Sequence, residues 1–177
     1  PKLVYCSITG FGQTGPYSKR PGYDFLIQGM GGIMSITGEA DREPQKVGVP
    51  IADIMSGMFA AVAINAALRH AALSGQGQYI DIGMLDTQVA WLVNQGMNFL
   101  HSGEAERLGN AHPNIVPYQV FKSSDGHIVL AIGNDKQFKT FCDFAGAHEL
   151  PNDPKYSTND ARVKNRVEIV ELIQNLI

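Results

Sequence analysis

A long, alanine-rich apolar run constrains the fold of this chain more than any other segment. The run extends from about Ile54 to Leu68 and contains only a serine, a glycine and an asparagine as interruptions. Alanine favours helix and lets neighbouring elements approach closely, so the pattern predicts a helix from Asp53 to about Leu73, ended by Gly75 and Gly77. The run is too short and too interrupted to span a bilayer, which favours a buried helix.

Asp53 stands at the start of this run, directly after the extended stretch 47–52. An aspartate there is typical of a helix N-cap, because its carboxylate accepts an otherwise unpaired backbone N–H. The positive end of the helix dipole also favours an ionised carboxylate, which suits a nucleophile. Both interpretations of Asp53, cap and nucleophile, follow from its position.

Composition excludes several classes of function. The 177 residues carry a net charge of −3, without a basic cluster that would predict nucleic-acid binding. The five histidines show no metal-ligand spacing, and no metal site is predicted. Cys6 and Cys142 lie far apart in sequence, so a disulfide between them is not expected. Free cysteines are typical of a reducing compartment, and a cytoplasmic location is therefore expected. No membrane partner is expected.

The ends of the sequence predict an internal piece of a longer protein. Pro1 is followed at once by a strand-like run, without an initiator methionine or a signal peptide. The final residues have the character of a helix interior and lack a cap.

Strand-like and helix-like segments alternate in the first part of the chain. Strands are expected at 3–8 and 78–82, helices at 23–34, 53–73 and 84–101, and loops at 10–22 and 37–49. This alternation predicts an α/β layered domain over residues 1–103. Residues 104–116 form a proline-bearing linker.

A smaller, incomplete α+β domain is expected over 117–177. Segments 118–122 and 127–132 flank a turn at 123–126 and predict a β-hairpin. Helices are expected over about 136–145 and from about Asp160 onward.

The segment Gly10-Phe11-Gly12-Gln13-Thr14-Gly15 matches the spacing of a dinucleotide-binding fingerprint. That fingerprint requires a helix to begin at the glycines, and Pro16 and Pro21 prevent one here. The acidic residue expected about 20 residues later at the end of a second strand is also missing. The glycines instead indicate a loop that allows backbone to approach a ligand or another chain.

Five motifs in series resemble the class III CoA-transferases, a family that includes formyl-CoA transferase and, as relatives, α-methylacyl-CoA racemases. The motifs are 7–12 with Gly15-Pro16, 21–24, Ala52-Asp53 with Gly57, 74–78, and 109–119. The last resembles the branch that uses succinyl-CoA with another dicarboxylic acid. Family members are about twice as long as this chain. The resemblance implies part of a Rossmann-like large domain followed by a smaller α+β domain, in an interlocked homodimer.

The resemblance also implies site residues. Asp53 matches the catalytic aspartate, which would form an aspartyl-acyl anhydride and then an aspartyl-CoA thioester. Tyr23 and Asp24 match a tyrosine–acid pair beside it. No permanently bound cofactor is implied, because the coenzyme A thioester and a small organic acid are the substrates.

Six further residues are candidates for binding the substrate or CoA. Gly10, Phe11, Gly12 and Gln13 lie in the loop that would supply oxyanion-stabilising amides or serve only as a turn. Arg20 would reach a CoA phosphate or an acyl carboxylate, or be an exposed loop cation. His112 would contact an acyl carboxylate, or be a solvated loop histidine.

Tyr23 separates transfer from racemisation. Racemases of the superfamily place a histidine at the matching position, because proton transfer at neutral pH needs a group that titrates near 7. A tyrosine there favours CoA transfer. An acyl-CoA racemase, and a CoA-thioester-binding piece without activity, are the alternatives.

Overall fold

The computed structural model describes residues 1–177, which divide into a first unit, Pro1–Arg107, and a second unit, Leu108–Ile177. The first unit contains two parallel strands, β1 (Tyr5–Thr9) and β2 (Tyr79–Gly83), paired from Tyr5 with Tyr79 to Thr9 with Gly83. Parallel strands require a crossover, and the long apolar helix supplies it. The predicted mixed α/β character is confirmed.

Helices make up most of the rest of this unit. They are α1 (Asp24–Met30), α2 (Ile51–Ser74), α3 (Met84–Val89) and α4 (Val93–Ser102), with short 3-10 turns at Met34–Ile36 and Ala90–Leu92. The prediction of one continuous helix over 84–101 was wrong. Val93 has a φ of 44°, which a β-branched residue rarely adopts and which interrupts the helical backbone. Apolar spacing continues across such a break and does not reveal it.

The long helix begins two residues before the predicted N-cap. Pro50 precedes its first residue, Ile51, and Asp53 is therefore the third residue of α2. The prediction that Asp53 is the N-cap, preceded by an extended stretch through Ala52, was wrong. The carboxylate of Asp24 accepts a hydrogen bond from the Ala52 amide at 2.8 Å, so a residue from α1 satisfies one of the free amides of this helix end.

The prediction that α2 is a buried helix was also wrong. Only a stripe of small residues is buried, comprising Ala52, Ser56, Ala60, Ala67 and Ala71, and this stripe lies where α2 packs on α1, α3 and both strands. The opposite face exposes Ile54, Met58, Phe59, Val62, Leu68 and Leu73.

Length does not exclude α2 from crossing a membrane, contrary to the argument from sequence. The helix has 24 residues, a window with a mean hydropathy of 1.7, and only 22% of that window buried. An apolar face of this size is equally typical of a helix that packs against another protein surface. The absence of a membrane partner stays a prediction.

The second unit has its own apolar core. An antiparallel hairpin of β3 (Tyr118–Lys122) and β4 (His127–Ala131) confirms the predicted strands, and the Ser123 amide donates to the Gly126 carbonyl in the turn. Helices α5 (Asp135–Ala145), α6 (Asn159–Lys164) and α7 (Arg166–Leu176) complete it, with α6 and α7 separated at Asn165 where a single helix was expected. The core residues include Val116, Phe121, Phe138, Cys142, Tyr156, Ile169 and Ile173.

Candidate active site

The candidate site lies at the carboxyl ends of the two parallel strands. Thr9 ends β1 and Gly83 ends β2, side by side in register. Just beyond these ends, the amide of Leu85 in α3 donates to the Gly10 carbonyl at 3.1 Å. Ligands of parallel α/β sheets characteristically bind outside this edge, because the loops that follow the strands gather there.

Two glycines cross at this edge. A Cβ added to Gly10 would lie 2.5 Å from the Gly22 Cα, and one added to Gly22 would collide with the Gly10 Cα. Only two residues without side chains allow this approach. The crossing brings Gly22, which directly precedes Tyr23 and Asp24, to the start of the loop that follows β1.

The 10–15 loop is held by hydrogen bonds to its own unit. The Gly12 amide donates to Thr9 Oγ1 at 2.9 Å, and the Gln13 amide donates to Asp81 Oδ2 at 2.8 Å. Gly12 and Gly15 have φ values of 81° and 88°, where glycine is favoured. An oxyanion would have to displace Thr9 or Asp81 to use these two amides, so the contacts favour a structural turn at Gly12 and Gln13.

Aromatic contacts organise the rest of this loop. The ring of Phe11 packs edge-on against Tyr17, with centroids 5.4 Å apart. The guanidinium of Arg20 lies over the ring of Tyr17, 4.1 Å from its centroid. Arg20 is exposed, and this cation–π contact places its charge at the surface of the first unit.

Asp53 presents an exposed carboxylate on the first turn of α2. The amides at a helix start carry partial positive charge, which stabilises the ionised form of a side chain in the first turn. One turn later, Ser56 is buried and its hydroxyl contacts the Thr87 hydroxyl at 2.8 Å, which ties α2 to α3. The carboxylate of Asp53 is thus accessible while the helix that carries it is anchored.

Tyr23 and Asp24 differ in exposure although they are adjacent. Tyr23 is 75% exposed and directly precedes α1. Asp24 is half-buried, and its two carboxylate oxygens accept from the Ala52 amide and from Gln28 Nε2. Tyr23 is therefore available to a ligand, whereas both oxygens of Asp24 already have protein partners.

His112 belongs to the second unit. Its Nδ1 accepts a hydrogen bond from the Asn114 amide at 3.1 Å, which leaves the proton of a neutral ring on Nε2. Partial burial, with a contribution from the nearby Arg166 cation, lowers the pKa of His112 below its usual value. The ring packs 5.3 Å from that of Tyr118. His112 is thus a neutral hydrogen-bond donor rather than a cation near pH 7.

Sequence reasoning missed two residues that organise the site. Asp81 on β2 holds the Gln13 amide, and the fully buried Gln28 of α1 links Asp24 to the Val47 amide. Asp81 carried no signal, since it occupies an ordinary polar position of an alternating strand. The sequence contains a weak indication for Gln28, because a glutamine four residues after an aspartate lies on the same face of a helix.

The chain is similar to known proteins along its whole length. It matches CoA-transferase family III over residues 1–177. It is 55% identical over 174 residues to succinate–glutarate CoA-transferase of Agrobacterium fabrum, covering 98% of this chain and 44% of the relative. It is 44% identical to human succinyl-CoA:glutarate CoA-transferase, covering 98% of this chain and 40% of the relative.

A solved structure shares the fold. The crystal structure of a CAIB/BAIF family protein from Brucella suis superimposes with a TM-score of 0.77 at 53% identity, covering 99% of this chain and 47% of that chain. The chain thus spans less than half the length of the relatives and of the solved structure that it matches.

Proposed function

We propose that this chain, which belongs to CoA-transferase family III, carries the catalytic aspartate of an enzyme that moves coenzyme A from succinyl-CoA to a dicarboxylic acid. The names of the two relatives above support succinyl-CoA and glutarate as the substrate pair. The observation that carries the proposal is the exposed Asp53 carboxylate on the first turn of α2, directly after Ala52, which packs in a buried cluster with Met84 just past the end of β2.

The chemistry follows from the nucleophilicity of a carboxylate. Asp53 attacks the thioester carbonyl of succinyl-CoA, and the CoA thiolate leaves as an aspartyl-succinyl anhydride forms. The thiolate then attacks the aspartyl carbonyl of the anhydride, which releases succinate and leaves an aspartyl-CoA thioester.

The second half of the reaction reverses the first with a new acid. The carboxylate of the acceptor attacks the aspartyl-CoA thioester and expels the thiolate, which attacks the acceptor carbonyl of the new anhydride. The products are the acceptor's CoA thioester and the free Asp53 carboxylate. Two covalent intermediates divide one difficult exchange into easier steps and require no permanently bound cofactor.

Tyr23 supports transfer over racemisation. Its exposed side chain occupies the place where an acid–base histidine would serve an α-carbon proton transfer. A phenol is a poor base but a good hydrogen-bond donor. We assign Tyr23 to hydrogen bonding with the reacting carboxyl or thioester group.

The architecture of the whole enzyme is part of the proposal. The parallel pair of β1 and β2 is consistent with a share of a Rossmann-like large domain. The exposed apolar face of α2 supports a homodimer, because each large apolar side chain gains about 1.5–3 kcal/mol on full burial. We place the enzyme in the cytoplasm.

Trapping the intermediate tests the proposal. Full-length protein is incubated with succinyl-CoA and quenched with hydroxylamine or borohydride, and the peptide containing Asp53 is analysed by mass spectrometry. We expect a hydroxamate or a reduced residue at Asp53. No adduct there, together with deuterium exchange at an acyl α-carbon, would overturn transfer in favour of racemisation.

A matched pair of variants completes the test. Asp53→Asn should lower kcat by at least about 10³-fold, because the amide is not a nucleophile. Asp160→Asn is the control, since Asp160 is also an exposed acid in the first turn of a helix. Loss of the dipole interaction is worth only about 0.3–1 kcal/mol at either position. Full activity of Asp53→Asn would refute the nucleophile assignment.

A further inference from the structure

Two side chains of α1 hold the segment that leads into α2. Asp24 and Gln28 lie one turn apart on α1, and Gln28 Nε2 donates to Asp24 Oδ2 at 2.7 Å. The free oxygens of the two side chains face the same segment: the Val47 amide donates to Gln28 Oε1 and the Ala52 amide to Asp24 Oδ1, both at 2.8 Å. Two hydrogen bonds therefore join α1 to the two ends of residues 47–52, and a third links the two side chains to each other.

The segment between these ends lacks regular secondary structure before α2 begins at Ile51. Gln28 is fully buried and holds the segment from the protein interior, while Asp24 is half-buried. Ala52 belongs to a small cluster of buried apolar residues with Ile27 and Met84. The clamp of Asp24 and Gln28 thus fixes the start of α2 against α1.

The position of this clamp relates it to the nucleophile. Ala52, whose amide it holds, directly precedes Asp53 in the sequence. A nucleophile loses much of its rate when it is displaced, and a shift of about 1 Å can lower the rate about 10²-fold. A clamp on the preceding amide sets where the Asp53 carboxylate begins its attack.

We propose that Asp24 and Gln28 act as a pair of positioning residues for Asp53, and that Asp24 does not itself exchange protons with the substrate. Both of its oxygens are occupied by protein donors, in contrast to the exposed Tyr23 beside it. This inference rests on the proposed function, in which Asp53 is the nucleophile.

The direction of the hydrogen bonds makes the proposal testable. The Ala52 amide and Gln28 Nε2 both donate to the carboxylate of Asp24, and the Val47 amide donates to the side-chain oxygen of Gln28. With Asp24→Asn, no orientation of the two amide side chains satisfies all three hydrogen bonds. If Gln28 keeps its orientation, an NH2 group of the new asparagine faces either Gln28 Nε2 or the Ala52 amide. If Gln28 is turned over, its own NH2 group faces the Val47 amide. Gln28→Glu alone places two carboxylates against each other.

The double variant Asp24→Asn/Gln28→Glu restores every bond. The new amide accepts from Ala52 N and donates to the new carboxylate, whose second oxygen accepts from Val47 N. The net charge is unchanged. We expect each single variant of the full-length enzyme to lower kcat about 10- to 100-fold with KM changed less than about threefold. The double variant should recover at least about tenfold over either single variant.

A structural readout accompanies the kinetics. Hydrogen–deuterium exchange of the peptide covering 47–56 should be faster in each single variant and return toward the original rate in the double variant. Where the double variant does not accumulate, Gln28→Met serves instead, since it keeps the Asp24 carboxylate but removes the acceptor for Val47 N. It should lower kcat to a similar degree.

Three outcomes would overturn the proposal. These are an Asp24→Asn enzyme with unchanged kcat, a folded double variant that remains as slow as Asp24→Asn, and a folded Gln28→Met enzyme with unchanged kcat. Failure of the proposed function is distinguishable from these, because the unsubstituted enzyme would then yield no adduct at Asp53.

Discussion

The crossing of Gly10 and Gly22 makes the sharpest prediction about stability. A Cβ at residue 10 would lie 2.5 Å from the Gly22 Cα and 2.9 Å from its nitrogen, both backbone atoms that cannot rotate away. Ordinary contacts of a Cβ begin near 3.4 Å. Gly10→Ala therefore requires the two backbones to separate by about 1 Å, and overpacking of this kind costs about 1–3 kcal/mol.

Steric repulsion alone accounts for this free energy. The φ of Gly10 lies outside the left-handed region, so alanine meets no backbone strain there. Gly126→Ala is the matched control, because Gly126 also lies outside that region and a Cβ there meets no atom within 4 Å. The control should change the free energy of unfolding by less than about 1 kcal/mol and in the stabilising direction.

Urea unfolding of the full-length variants measures the difference. We expect Gly10→Ala and Gly22→Ala each to lower the free energy of unfolding by about 1–3 kcal/mol relative to Gly126→Ala. The double variant should lose less than the sum, because both methyl groups disturb one contact. Displacement of Tyr23 and Asp24 should also lower kcat. Stabilities of Gly10→Ala and Gly22→Ala equal to that of the control would refute the crossing.

Two further predictions concern the second unit. Arg162→Met removes a fully buried guanidinium that donates to the carbonyls of Val116 and Tyr156 and to Asp135, and should destabilise the protein by about 3 kcal/mol. Thermal unfolding checks this, with Arg42→Met as control because the Arg42 side chain is exposed, and equal midpoints would contradict it. Burial raises the pKa of the Cys142 thiol to about 11. Iodoacetamide at pH 8 should therefore alkylate Cys142 only after unfolding, and rapid labelling of the native protein would show the thiol to be exposed.

Local sequence signals predicted elements whose causes are themselves local. The turn 123–126 and its flanking strands, and the left-handed Gly75 that ends α2, were predicted from residues within a few positions of each other. In the same way, the helix expected over about 136–145 is present as α5, which begins at Asp135 after the N-cap Asn134.

Predictions failed where a distant residue decides the local structure. Asp53 satisfied the rules for an N-cap, but the Asp24 carboxylate from α1 takes the Ala52 amide and the helix starts earlier. The sequence of the 10–15 loop also did not reveal that Thr9 and Asp81 accept hydrogen bonds from two of its amides. The predicted roles in catalysis or binding stay predictions for all nine candidate residues, which are Gly10, Phe11, Gly12, Gln13, Arg20, Tyr23, Asp24, Asp53 and His112.

The sequence by itself determined the family, the order of most elements and the identity of the candidate nucleophile, because these depend on residue types and spacings along one chain. Only the tertiary structure decided which groups support Asp53. The clamp of Asp24 and Gln28 and the crossing of Gly10 and Gly22 join residues that are 12 to 28 positions apart. Hydrogen bonds and steric exclusion act over a few ångströms in space, so contacts of this kind appear only once the chain has folded.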